Sequence, residues 1–321
     1  MGQKEKAFIG LDLGGTFLKY ALGTGDGTIL HKGKLPSHGS QSADAIFNVM
    51  FQAVAELLEK AEKQGVEVGA IGVGSPGAID FNTGRVLGNT PNLPLWTDAD
   101  IRGRIQEKYN IPVYADNDAN IAILAEARFG AAKGCPNVVG LTLGTGIGGG
   151  VVINDQLFRG AGFSGAELGH MTINFQGPKC GCGSSGCVEA YASATAMVRN
   201  YKEKLAARHM PLPERLNTEL IFAHARSGEE EAMQTIDEVC FYLGVAIGNI
   251  INIFNPEIIV IGGGVADAGD AFITRIWQNV DGHVLTAAQS IARLVRAELG
   301  NNAGVVGAIA LAADSYKAWH M

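Results

Sequence analysis

The chain has 321 residues, 47% of them hydrophobic and 18% charged, which excludes an intrinsically disordered polymer and leaves room for two domains with cores of their own. A formal charge of −7 argues against a nucleic-acid-binding surface, and no uninterrupted apolar run reaches the length of a membrane span. Nothing apolar follows Met1-Gly2-Gln3-Lys4-Glu5-Lys6 in the manner of a secretory signal, so a cytoplasmic protein with no membrane partner is expected. In chain order, residues 7–13 read as a buried strand, Gly14-Gly15 as a turn, and residues 17–22 and 29–34 as two further strands. Ile46, Val49, Met50, Ala53, Leu57 and Leu58 recur at helical spacing and predict a helix over residues 42–64. A buried strand at 70–74 runs into Ser75-Pro76-Gly77, a helix follows at 99–109, and a strand at 111–115 leads into Asp116-Asn117-Asp118. Asp118 is predicted to cap a helix over 119–129.

From residue 138 the pattern restarts. A strand at 138–143, a turn at Gly144-Thr145-Gly146, a strand at 147–153, a turn at Asn154-Asp155 and a strand from Gln156 repeat the opening order. Leu11-Asp12-Leu13-Gly14-Gly15-Thr16 and Leu141-Thr142-Leu143-Gly144-Thr145-Gly146 are the matching segments, offset by 130 residues. Two copies of one α/β unit are therefore expected. A helical stretch follows over 192–253, broken near Pro211 and Pro213. A strand at 258–261 then ends in Gly262-Gly263-Gly264, and a last apolar helix covers 305–317.

Strand-end glycines let bare backbone N–H groups approach an anion, so the turns at Gly14-Gly15-Thr16, Gly144-Thr145-Gly146 and Gly262-Gly263-Gly264 are candidate phosphate sites. Hairpins also need glycine for geometry alone. Gly144-x-Gly146-x-x-Gly149 formally matches a dinucleotide fingerprint, but Gly150-Val151-Val152-Ile153 continues as a strand where that motif requires a helix. Asp12 lies in an apolar strand, and a buried carboxylate needs a partner such as a metal, water held on a phosphate, or the neighbouring turn. Asp118 suits a base that takes a proton from a substrate hydroxyl, a role compatible with capping, and Asn117 offers a donor and an acceptor to a polyhydroxylated ligand.

The densest signal is His170 followed by Cys180-Gly-Cys182-Gly-Ser-Ser-Gly-Cys187, which holds three of the five cysteines. One imidazole and three thiolates complete a tetrahedral Zn²⁺ site with no position left for a reacting water, so the metal is expected to be structural. Glu167 and Glu189 bracket this set and suggest that something polar binds beside the metal. Cys135 and Cys240 stand alone and read as packed core thiols.

On these motifs the chain resembles the ROK family, sugar kinases and sugar-responsive repressors with an actin-like ATPase fold. The segments that carry the resemblance are Leu11-Asp12-Leu13-Gly14-Gly15-Thr16, Asn117-Asp118-Ala119-Asn120, Leu143-Gly144-Thr145-Gly146-Ile147-Gly148-Gly149-Gly150, Glu167-Leu168-Gly169-His170-Met171 and Cys180-x-Cys182-Gly-x-x-Gly-Cys187-x-Glu189. It implies an α/β protein of two actin-like, ribonuclease H-like domains around a deep cleft, expected at residues 1–118 plus 303–321 and at 119–302. It also implies ATP with Mg²⁺, a structural Zn²⁺, a hexose substrate and a homodimer or homotetramer. By residue, Asp118 corresponds to the catalytic base, and Asn117, Glu167, His170 and Glu189 to ligands of the sugar hydroxyls, with Gly77 and Asn92 near the sugar. Asp12, Gly14, Gly15, Thr16, Lys19, Gly144, Thr145, Gly146, Gly263 and Gly264 fall at nucleotide-binding positions, and His170, Cys180, Cys182 and Cys187 match the zinc ligands. Glucose is the expected hexose, with N-acetylglucosamine or N-acetylmannosamine next. A regulator of the same family is disfavoured here because only seven residues precede Phe8 and Asp118 is present. An actin-like assembly protein is disfavoured because it would have no use for the metal cluster and its carboxylates.

Overall fold

The computed structural model describes residues 6–88, 90 and 93–320. They form two compact α/β units, one of residues 1–134, 157–166 and 301–321, the other of 135–156 and 167–300.

The first unit opens with β1 (Lys6–Leu13), β2 (Phe17–Thr24) and β3 (Ile29–Pro36), followed by α1 (Ala43–Gln64). It continues through β4 (Glu67–Ser75), β5 (Ala78–Asp80), β6 (Arg85–Gly88), α2 (Ile101–Tyr109), β7 (Val113–Asn117) and α3 (Asp118–Phe129). Its five-stranded sheet has the order β3-β2-β1-β4-β7, with β1–β2 and β2–β3 antiparallel and β1–β4 and β4–β7 parallel. The Oγ of Ser42 accepts the N–H of Ala45 at 3.0 Å to start α1, and Gly65, in the left-handed region at φ 65°, ends it. Ile46, Phe47, Met50, Val54 and Leu57 of α1 are buried in the same core as Leu11, Leu13 and Val73 of the sheet, and Trp96 packs on Phe47 with ring centroids 4.9 Å apart.

The second unit contains β8 (Val138–Leu143), β9 (Ile147–Ile153) and β10 (Gln156–Leu157), then α4 (Val188–Ala192), α5 (Ala194–Ala207), α6 (Thr218–Arg226) and α7 (Glu230–Phe254). It closes with β11 (Ile258–Gly262), α8 (Asp270–Gln278), α9 (Thr286–Gln289) and β12 (Arg293–Arg296). The sheet order β10-β9-β8-β11-β12 reproduces that of the first unit, again with an antiparallel hairpin followed by parallel pairs. The repeat expected from Leu11–Thr16 and Leu141–Gly146 is thus a repeat of topology. Helix α7 is long and apolar enough to cross a membrane by length and composition, but Val239, Leu243, Ile247 and Ile251 are buried, and it packs on α4, α5, α6 and α8 as a core helix. Cys240 on α7 is a core thiol pushed up to about 12 by burial, whereas Cys135 is only half-buried and receives the Arg293 guanidinium at 3.6 Å.

The last helix, α10 (Ala303–His320), returns to the first unit and covers the face of the sheet opposite α1. It lies so close that a Cβ at Gly72 would fall 1.9 Å from the carbonyl oxygen of Ala308, so only glycine fits there. The same helix fixes where the units divide. The boundary expected at 118/119 falls inside the first unit, because Ile121 and Leu124 of α3 are buried with Ala308 and Leu311 of α10. Leu157 packs against this cluster and begins the 157–166 strap, by which the chain re-enters the first unit.

Candidate active site and metal centre

In the first unit the candidate residues gather at the C-terminal ends of parallel strands, where open α/β sheets hold their ligands. Asp12 is level with Gly74, Gly74 with Asp116, and Ser75 with Asn117 across β1, β4 and β7. The cap of α3 is Asn117, one residue before the expected Asp118. Its Oδ1 accepts the N–H groups of Ala119 at 2.9 Å and Asn120 at 3.2 Å, and its Nδ2 donates to the Gly77 carbonyl at 3.0 Å. Asp118 is therefore the first residue of the helix, where the positive end of the macrodipole favours an ionised carboxylate, and its Oδ1 accepts the Ala119 N–H at 2.8 Å. Gly77 has φ 94°, a conformation that admits glycine and presents the carbonyl to Asn117. Beside it, the Nε1 of fully buried Trp96 donates to Ser75 Oγ at 2.9 Å. Asn92 lies outside the described residues.

Asp12, one residue before the end of β1, lies beside the start of α10, where a Cβ at Gly304 would meet its carboxylate at 2.2 Å. Burial pushes its carboxyl above the usual range, and Lys19, 3.7 Å away, opposes that shift. Lys19 also donates to the Asn301 carbonyl at 3.2 Å. Gly14, Gly15 and Thr16 form the β1–β2 turn, closed by the Gly14 N–H on the Phe17 carbonyl at 2.9 Å. Buried Ser37 ties the carbonyls of this turn back: its Oγ donates to Gly15 O at 2.8 Å and its N–H to Thr16 O at 2.9 Å.

The second unit repeats the device. The turn of Gly144, Thr145 and Gly146 has its carbonyls held by α5, with the Ala194 N–H on Gly144 O at 2.9 Å and Thr195 Oγ1 on Thr145 O at 2.8 Å. A carbonyl lone pair aimed at a phosphate would repel it, so tying back both pairs suits the turns to an anion. Gly263, at φ 84°, crosses directly over β8: a Cβ there would lie 2.3 Å from Leu143 O, which sets Gly263 and Gly264 beside the Gly144 turn.

Glu167 precedes a single 3₁₀ turn, Leu168–His170, and its carbonyl accepts the His170 N–H at 3.0 Å. The donor atoms of His170, Cys180, Cys182 and Cys187 all lie within 4.8 Å of one another. Cys180 Sγ is 3.6 Å from His170 Nδ1, and the sulfurs of Cys182 and Cys187 are 3.7 Å apart with no disulfide. A tetrahedron with Zn–S bonds of about 2.3 Å separates its ligands by about 3.8 Å, so the 3.6 and 3.7 Å pairs match Zn²⁺ and all four donors lie within reach of one ion. Without a cation two of the thiols resist ionisation: burial pushes Cys180 up to about 12 and raises Cys187, whereas the Ser184 backbone N–H lowers Cys182. A divalent ion reverses that preference. Glu189 joins the cluster to the Gly144 turn, with Oε2 accepting the Ile147 N–H at 2.9 Å and Oε1 3.6 Å from Cys180 Sγ. Burial raises the Glu167 carboxyl, His170 opposes, and the charge of Glu189 adds to the rise.

Ser37, Thr195 and Arg159 carry no motif and were not legible as site residues. Each acts through a partner distant in sequence. Arg159 Nε meets Asp116 Oδ2 at 2.6 Å across 43 positions.

Two α/β units with one repeated strand order, each carrying a glycine turn between its first two strands, define the actin-like class. The chain belongs to the ROK family, whose sequence profile matches residues 8–315. It is 35% identical over 311 residues to a glucokinase of Halalkalibacterium halodurans, covering 94% of each chain. It is 32% identical to a xylose repressor of Bacillus subtilis, covering 96% of this chain and 77% of the repressor. A ROK family glucokinase from Streptomyces griseus, solved in complex with glucose and AMPPNP, superposes with a TM-score of 0.81 at 32% identity, over 96% of this chain and 99% of that one.

Proposed function

We propose that the protein is an ATP-dependent hexokinase that phosphorylates the 6-hydroxyl of glucose. Glucokinase relatives at about a third identity over nearly the whole chain support a sugar kinase, and the glucose and AMPPNP bound to the Streptomyces griseus enzyme support the two substrates. The observation that carries the chemistry is Asp118 in the first turn of α3 beside Asn117, a carboxylate at the positive end of the helix next to a side chain that offers both donor and acceptor.

Asp118 accepts the proton of the sugar 6-hydroxyl as that oxygen attacks the γ-phosphorus. The new O–P bond forms as the bond to the β-phosphate oxygen breaks, and ADP leaves with that electron pair. Asn117, Glu167, Glu189 and the Nε2 of His170 take the sugar hydroxyls, with Gly77 at the edge of the pocket. The backbone N–H groups of Gly14, Gly15, Thr16, Gly144, Thr145 and Gly146 face the phosphates with Lys19, and Gly263 and Gly264 lie at adenosine. Asp12 would hold the Mg²⁺ that accompanies ATP, which would supply neutralisation of phosphate charge. His170, Cys180, Cys182 and Cys187 would hold a structural Zn²⁺, which would supply rigidity to the sugar-binding wall and no chemistry of transfer. The reading places a homodimer or homotetramer in the cytoplasm.

A coupled ATP-consumption assay over a hexose panel tests this. Glucose is expected to give the highest kcat/KM, and preference for an N-acetylated hexosamine would move the assignment to that sugar. The kinship to xylose repressors favours a sugar-responsive regulator as the second reading. Absence of turnover on every hexose, together with salt-sensitive DNA retention, would establish it instead.

A further inference from the structure

We propose that Asp116 and Arg159 are a positioning pair for the transfer reaction, fixing the Gly77 turn and the Asn117–Asp118 step in one arrangement; this rests on the kinase reading. The Asp116 side chain is 3% exposed and accepts three bonds, from Arg159 Nε at 2.6 Å, from the Asn117 N–H at 2.8 Å and from Asn120 Nδ2 at 2.9 Å. Two of these donors flank Asp118. A buried ion pair is a poor source of stability, since apolar residues of the same volume usually serve as well, so its use here is geometric.

Arg159 has a second contact that closes a ring. Its guanidinium lies 3.9 Å from the centroid of Phe81, which directly follows β5, and β5 begins one residue after Gly77. Gly77 in turn accepts from Asn117. One planar cation thus clamps both the strand that leaves Gly77 and the strand end that delivers Asp118. Arg159 also anchors the 157–166 strap, where its carbonyl accepts the Gly165 N–H at 2.8 Å, and Glu167 is the residue that follows the strap. Lysine has no planar group that can donate to a carboxylate and stack on a ring at once.

The test uses the full chain, with kcat, KM for glucose, KM for ATP and melting temperature measured on wild type, Arg159→Lys and the double variant Asp116→Asn with Arg159→Gln. Arg159→Lys is expected to lower kcat about 10²-fold, the cost of roughly 1 Å of misplacement, and to raise the glucose KM. The ATP KM and the melting temperature are expected to stay near wild type. A melting temperature that falls while kcat per folded molecule is unchanged would overturn the pair's role. If Arg159→Lys does not fold, the double variant, which leaves no buried charge unpaired, decides: the same loss of kcat supports the pair, and wild-type kcat overturns it. Wild type inactive on every hexose overturns the kinase reading and the pair with it, whereas an active wild type with equally active variants overturns the pair alone.

Discussion

With Asn117 accepting the N–H groups of Ala119 and Asn120, the carboxylate of Asp118 stands in the first turn of α3 without being the group that starts the helix. The two side chains therefore separate under mutation. Asp118→Asn is expected to lower kcat by roughly 10²–10⁴-fold with the melting temperature little changed, and near-normal turnover in that variant would remove Asp118 from the role of base. Asn117→Ala loses the cap instead, about 1 kcal/mol of stability in a denaturant titration. Aspartate is at home at either position of a helix start, which is why the pattern of residues placed the cap one position late. Asp12 makes a separate prediction. Burial raises its carboxyl, so the folded chain holds the proton more tightly than the unfolded one. Stability from this group then falls as pH rises from the unfolded value of about 3.9 through the folded value. Asp12→Asn should melt no lower than wild type at neutral pH, gain less on acidification, and lose Mg²⁺-dependent turnover.

At the scale of elements, the cysteine loop was the most legible part of the chain, because its ligands lie close together in sequence and their chemistry is restrictive. What sequence could not supply is its connection to the Gly144 turn through Glu189, a bond that spans 42 positions. On the proposed reading, metal loss then harms the sugar-binding wall as well as the fold. Cys182→Ser should bind less than one equivalent of zinc by elemental analysis, melt lower, and show a raised glucose KM. A zinc-free protein with unchanged glucose affinity would detach the cluster from the sugar site. The 157–166 strap was the least legible element: it has no periodicity, its glycines Gly160, Gly162 and Gly165 match no motif, and its meaning comes from Asp116 and Phe81, far away in the chain.

For the molecule as a whole, one strand order is used twice for different ends. The first copy carries Asp118 and Asp12, and the second carries the metal loop, Glu167 and the Gly263 turn. The duplication was readable from two short segments because a hairpin followed by parallel strands leaves the same glycine punctuation in each copy. The points where the chain passes between units were not readable, since they are set by what α3 and α10 pack against. A ligand that binds only the native molecule must stabilise it: glucose at about a hundred times its Kd should add about 2.7 kcal/mol, seen as a rise in melting temperature that galactose does not reproduce.

Helix α10 is made late and used early. A ribosome has released every strand of both sheets before Ala303 emerges, yet an apolar patch of the first sheet, around Phe8, Ala21 and Ala70, is buried against Val305, Ile309, Ala312 and Ala313 of α10. The second unit, mostly continuous in sequence, can mature on the nascent chain while the first waits with that patch bare, and such surfaces attract chaperones or aggregate. Translation that stops short of this helix is therefore expected to yield a chain whose cysteine loop can form but whose α3, with Asp118, lacks its packing partner, so errors late in synthesis should abolish the proposed transfer rather than leave a partly active enzyme.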